Sequence, residues 1–115
     1  MTDDIFCKII RKEIGDSVFD EGENWVALKD IHPQAPVHIL IIPKKHIEGV
    51  ELAKDEDREL LGELILAAKK IAKKAGISDD GYRLILNQGE NGGQAIKHLH
   101  IHLLGGKSLG PKICA

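Results

Sequence analysis

Three histidines stand at every second position in Lys97-His98-Leu99-His100-Ile101-His102-Leu103-Leu104, half of the six histidines in the chain. Side chains alternate faces along an extended strand, so these three imidazoles point one way and Leu99, Ile101 and Leu103 the other. The apolar set is expected to bury under a helix, with the histidines about 6.5–7 Å apart on the opposite face. Two imidazolium ions at about 7 Å repel by roughly 2 kcal/mol at an effective dielectric near 20. The row should therefore avoid full protonation near neutral pH, leaving a neutral imidazole to act as nucleophile or base.

The same row could hold a metal, since neutral imidazole is a common ligand. Such sites on strands often add a carboxylate farther along, and no Asp or Glu follows Glu90. The expectation is no metal cofactor, with Cys7, His46 and His98 as the residues for a zinc ion and Asp4 as a fourth ligand. Directly before the histidine strand, Asn87-Gln88-Gly89-Glu90-Asn91-Gly92-Gly93-Gln94 can converge backbone N–H groups on an anion. It is neither a Walker loop nor a dinucleotide fingerprint, because a strand follows it and no Lys-Ser/Thr closes it.

The surrounding elements must position these groups. Ile5, Phe6, Ile9 and Ile10 recur at helical spacing behind a cap at Thr2 or Asp3, with Gly15-Asp16 as the stop. Ser17–Asp20 and Trp25–Lys29 read as short strands around a turn, and Val37–Ile42 as a buried strand ended by Pro43. From about Asp55 to Ala75, Leu60, Leu61, Leu64, Ala68, Ile71 and Ala75 make one apolar helix face, closed by Gly76. The lysine pairs 69–70 and 73–74 complement the helix dipole and face solvent. Tyr82–Asn87 and His98–Leu104 are the last strands. The fold class is α+β: a five-stranded, mainly antiparallel meander sheet with one long helix and a short N-terminal helix.

The length of 115 residues fits a single domain, 1–115. Hydrophobic residues make up 43% and charged residues 30%, which argues against disorder. Four aromatic residues and a net charge of −2 exclude a base-stacking or basic footprint for a nucleic acid polymer. No apolar segment is long enough for a membrane, and the acidic N-terminus has no signal-peptide pattern. Cys7 and Cys114 therefore read as reduced thiols in a cytoplasmic protein.

Five stretches carry a family resemblance: Ile5–Ile10, Asp30-Ile31-His32-Pro33-Gln34-Ala35-Pro36-Val37-His38, Ile42–Ile47, Tyr82–Asn87, and Gly92-Gly93-Gln94 through the histidine row to Gly106. Together they run along about nine tenths of the chain. It resembles the histidine triad (HIT) family, and within it the histidine triad nucleotide-binding branch of purine nucleoside phosphoramidases. The resemblance implies a HIT-like fold and a nucleotide hydrolase acting on nucleoside phosphoramidates through a nucleotidyl-histidine intermediate. His100 matches the nucleophile, His102 the phosphate contact, and His98 and His38 the residues that orient the row and support proton transfer. Asn87, Gly93 and Gln94 match groups around the α-phosphate and ribose, Asp30 the carboxylate for the ribose hydroxyls, and Phe6, Ile9, Leu28 and Ile31 the purine pocket. It further implies a homodimer with no metal needed for turnover. Ala95 stands where close relatives often have serine, and Asp4 where zinc-binding members have a second cysteine. A nucleotide-sensing or partner-binding module and a metalloenzyme are the competing classes.

Overall fold

The structure is a computed structural model, and it describes residues 4–12 and 18–111. Helix α1 (Ile5–Ile10) is followed by β1 (Val18–Glu21), β2 (Trp25–Lys29) and β3 (Val37–Pro43). Two short 3-10 turns lead into α2 (Arg58–Lys74), and β4 (Tyr82–Leu86) and β5 (Ile101–Gly105) complete the sheet. All neighbouring strands are antiparallel. The order is β1-β2-β3-β5-β4, so the meander holds only through β3. After the α2 crossover the chain lays β4 at the edge and returns between β3 and β4 as β5. That insertion puts the histidine strand inside the sheet, with a partner on each side.

Alternation along the central strands divides the interior in two. Trp25, Ala27, Ile39, Ile41, Leu99, Ile101 and Leu103 pack with Leu64, Ala67, Ala68, Ile71 and Ala72 of α2. Val26, Leu28, Leu40 and Ile42 face the other way and pack with Phe6 of α1. Both faces of β2 and β3 are thus covered, which accounts for their near-continuous apolar sequence. Leu99, Ile101 and Leu103 lie under the long helix as expected, and the histidines face the α1 side.

Several boundaries move for identifiable reasons. The last β3–β5 pair is Ile41↔Ile101, so His98, Leu99 and His100 precede the ladder instead of belonging to it. Pro43 has no N–H to offer, and its carbonyl oxygen is taken by the His98 ring at 2.9 Å. Leu99 N–H turns instead to the Ile47 carbonyl at 2.7 Å. The cap of α1 is Asp4, whose Oδ1 accepts the Cys7 N–H at 2.8 Å, in place of Thr2 or Asp3. Thr2, Asp3, Gly15, Asp16, Ser17 and Cys114 lie outside the described residues. Asp55–Asp57 is a 3-10 turn and the α-helix begins at Arg58. It closes as the sequence implies: Gly76 takes φ +79°, and Ile77 N–H reaches back to the Ala72 carbonyl at 3.0 Å.

Leu103 is fully buried between sheet and helix. Leu103→Ala is expected to lower unfolding free energy by about 2–5 kcal/mol in urea titrations. A loss below about 1 kcal/mol would show that β5 does not carry the α2 interface.

Candidate active site

The local fold sets where each imidazole proton sits. His38, on β3, and His102, on β5, are diagonal neighbours, because Leu40 pairs with His102. The His38 Nδ1 accepts the Gln34 N–H at 3.0 Å, so the single proton of the neutral ring is on Nε2. That N–H points at His102 Nδ1, 2.9 Å away, with Asp30 Oδ2 at 3.4 Å. His102 therefore accepts at Nδ1 and carries its own proton on Nε2. His100 is the reverse: its Nδ1 donates to the His98 carbonyl at 2.7 Å, which leaves an unprotonated Nε2. A lone pair on His100 thus stands next to an N–H on His102, with the ring centroids 5.0 Å apart. The separation is shorter than the ideal strand spacing of about 6.5–7 Å.

Burial disfavours charge on His38, His98 and His102. Burial, followed by the neighbouring His100 and His38, pushes the His102 imidazolium down to about 4, against the opposing pull of Asp30. Burial also lowers His38, again opposed by Asp30. His98 is fully buried and held below the ordinary histidine range mainly by that burial. The expected mutual discouragement of charge is present, but desolvation outweighs it.

A cavity of about 340 Å³ opens onto these rings. Phe6, Ile9, Leu28, Asp30 and Ile31 line it together with His100 and His102. Phe6 stands edge-on to the His98 and His100 rings at 5.8 and 5.2 Å. Ala95, where close relatives often have serine, also lines it, as do Ile5, Lys29, His32, Leu40 and Ile96, which the sequence did not assign to the pocket. Ile5 sits beside Phe6 on the same short helix, and Lys29 and His32 flank Asp30, so both were readable as neighbours of named residues. Ile31 is 76% exposed, an apolar side chain with no protein partner to cover it at the cavity mouth.

Asn87, Gly93 and Gln94 are not among the lining residues. The Asn87 amide donates to the Gly92 carbonyl at 2.7 Å. Gln94 accepts from Gly89 N–H at 2.9 Å and donates to the Glu48 and Ile96 carbonyls at 2.6 and 3.1 Å. A Cβ on Gly92 would meet the Gln88 carbonyl oxygen at 2.3 Å, so the turn requires glycine there. These side chains shape the loop that delivers Ala95 and Ile96 to the cavity. His98 and His38 likewise stand behind the lining, in contact with its rings.

Among the described residues, two groups bring metal-ligand atoms together, each set within 4.8 Å: Asp4, Cys7, His46 and His98, and Asp30, His38 and His102. In the first, His98 Nδ1 is free of its proton, which sits on Nε2 toward Pro43, and it lies 3.6 Å from Cys7 Sγ. The His46 Nε2 lies between two acceptors, Asp4 Oδ2 at 3.1 Å and the Lys97 carbonyl at 3.0 Å, so it holds a proton and donates. In the second group the His38 Nε2 proton is likewise directed at its neighbour.

Known proteins share the fold and much of the sequence. The HIT domain profile matches residues 11–109. Purine nucleoside phosphoramidase of Escherichia coli K12 is 49% identical over 109 residues, 95% of this chain and 92% of that protein. A HIT family hydrolase from Clostridium thermocellum superposes with a TM-score of 0.91 at 48% identity, over 96% of both chains. Another from Legionella pneumophila gives 0.88 at 49% identity, over 90% of this chain and 93% of the other. With its profile, its sequence and its backbone all in agreement, this chain belongs to the HIT domain family.

Proposed function

We propose that this protein is a hydrolase that cleaves purine nucleoside 5′-phosphoramidates, or nucleotides similarly linked at the α-phosphate, to a nucleoside monophosphate. The observation that carries this reading is the 2.7 Å bond from His100 Nδ1 to the His98 carbonyl, which leaves the Nε2 lone pair on the cavity side. The Escherichia coli relative bears the corresponding activity in its name.

In the first step the His100 Nε2 lone pair forms a bond to the α-phosphorus, and the P–N bond to the amine breaks as that nitrogen takes a proton from solvent. The His102 Nε2–H donates to a phosphoryl oxygen as charge builds there. In the second step water adds its oxygen to phosphorus and the P–Nε2 bond breaks, restoring the lone pair. The monophosphate departs and one water proton passes to solvent. Holding the imidazole, the N–H and the phosphorus together supplies most of the advantage, since each group is already in its working protonation state. His98 positions the nucleophile, His38 fixes the His102 tautomer, and Asp30 takes the ribose hydroxyls. Phe6, Ile9, Leu28 and Ile31 hold the purine, while Asn87, Gly93 and Gln94 support the loop around the phosphate. This chemistry requires no metal cofactor.

The reading extends to one domain acting as a cytoplasmic homodimer. Among the described residues, no helix is long and apolar enough to cross a membrane. The sheet ends at β4, where Leu84 and Leu86 are more than a third exposed, and Ile65 and Leu66 of α2 are 55% and 66% exposed. A second copy would cover this edge and helix face.

Adenosine 5′-phosphoramidate is the test substrate. AMP release should proceed equally with and without a chelator. His100→Gly should abolish it while AMP still binds, as read by calorimetry; substantial turnover by folded His100→Gly protein would refute the mechanism. A 2′-deoxy substrate should lose roughly 10- to 150-fold in kcat/KM, the worth of a charge-assisted bond of about 1.5–3 kcal/mol. Asp30→Asn should erase most of that discrimination, and equal kcat/KM for the two sugars in the wild type would reduce Asp30 to a turn residue. Light scattering at micromolar concentration should give twice 12.6 kDa, and a mass of 12.6 kDa across a wide concentration range would exclude the dimer.

A further inference from the structure

Helix α1 walls the cavity with Ile5, Phe6 and Ile9, yet it has six residues, too few to hold together alone. Its attachment to the body is therefore part of how the cavity is built. Phe6 supplies the apolar attachment, against the His98 and His100 rings. The polar attachment runs through Asp4. Its Oδ1 caps the helix at Cys7 N–H, and its Oδ2 accepts from the His46 Nε2–H at 3.1 Å. The same N–H reaches the Lys97 carbonyl at 3.0 Å, in the segment entering the histidine row. The His46 ring also stands edge-on to the His98 ring at 4.8 Å.

We infer that Asp4 and His46 form a positioning pair, a direct carboxylate–imidazole bond that fixes the α1 wall of the cavity against the segment carrying the reacting histidines. Capping alone does not call for a carboxylate; serine or asparagine serves as well. What aspartate adds is a second acceptor oxygen, Oδ2, which takes the His46 Nε2–H at 3.1 Å and, like Oδ1, lies 3.3 Å from the His98 Nδ1. The two side chains are 13% and 25% exposed, so the bond is only partly screened by water.

The pair has a distinctive kinetic signature, which rests on the cavity binding the nucleoside as proposed above. Contacts from α1 to the nucleoside are equal in ground and transition states, and their loss appears in KM. The nucleophile is held separately: the carbonyl that receives His100 Nδ1 belongs to a main chain fixed by the His98 N–H to Ile96 bond and the Leu99 N–H to Ile47 bond. The value of kcat should survive.

The test uses Asp4→Ser, which keeps a cap but not the second oxygen, His46→Phe, which keeps the ring but not the donor, and the double variant. Each single change should raise KM for adenosine 5′-phosphoramidate about three- to tenfold with kcat within about twofold. The double variant should be no worse than the worse single one, because both remove the same bond. Hydrogen–deuterium exchange over residues 5–10 should quicken alike in all three, with β5 unchanged. The inference is overturned if Asp4→Ser exchanges and reacts like wild type, if the two effects add, or if kcat falls while KM holds. It is also overturned if the wild type carries stoichiometric zinc that every variant loses, because a cation would then make the link. If the wild type fails to turn over any phosphoramidate, the substrate reading fails, and the exchange data still decide the pair.

Discussion

A neutral imidazole has one proton and one lone pair, and the whole site follows from where each ring is made to spend them. His98 gives its proton to the Pro43 carbonyl, His100 to the His98 carbonyl, and His38 to the His102 ring, whose own proton is left for the cavity. Every one of these bonds ties a ring to the frame or to a ring already tied. The protein thus sets the protonation of each nitrogen through backbone geometry and not through charge. This arrangement holds only while the rings stay neutral, and burial on the α1 face of the sheet favours the neutral form of His38, His98 and His102.

That face was legible from the two-residue alternation of the histidine segment, because the apolar partners Leu99, Ile101 and Leu103 have only one place to go. The Trp25–Lys29 strand and the Gly76 stop were equally local decisions, each resting on a pattern a few residues long. The pocket residues Phe6, Ile9, Leu28, Asp30 and Ile31 came from resemblance, since nothing in their spacing joins a helix near the N-terminus to a strand end twenty residues on.

What the sequence did not reveal depends on partners remote along the chain. The ladder stops at Ile101 because the facing strand ends in a proline fifty-eight residues earlier, a pairing visible only once the register is known. The insertion of β5 between β3 and β4 is likewise a choice of topology that both strand sequences permit. The loop 87–94 reads as an anion cradle from its glycine content, and the conformations that glycine permits also let Asn87 and Gln94 bond within and around that loop. The role of Asp4 was half-visible as a possible ligand; its second bond needed His46, forty-two positions away, to be in place.

Burial of three imidazoles also has a consequence for the environments the molecule can tolerate. His38, His98 and His102 all have proton affinities below that of a free histidine when folded. The unfolded chain therefore binds more protons than the native one as acidity rises past about pH 6.5, and each proton favours unfolding. For His102 that drain continues until about pH 4, where the native ring also charges. Keeping His38, His98 and His102 uncharged in the interior thus costs the fold stability as the pH falls below about 6.5.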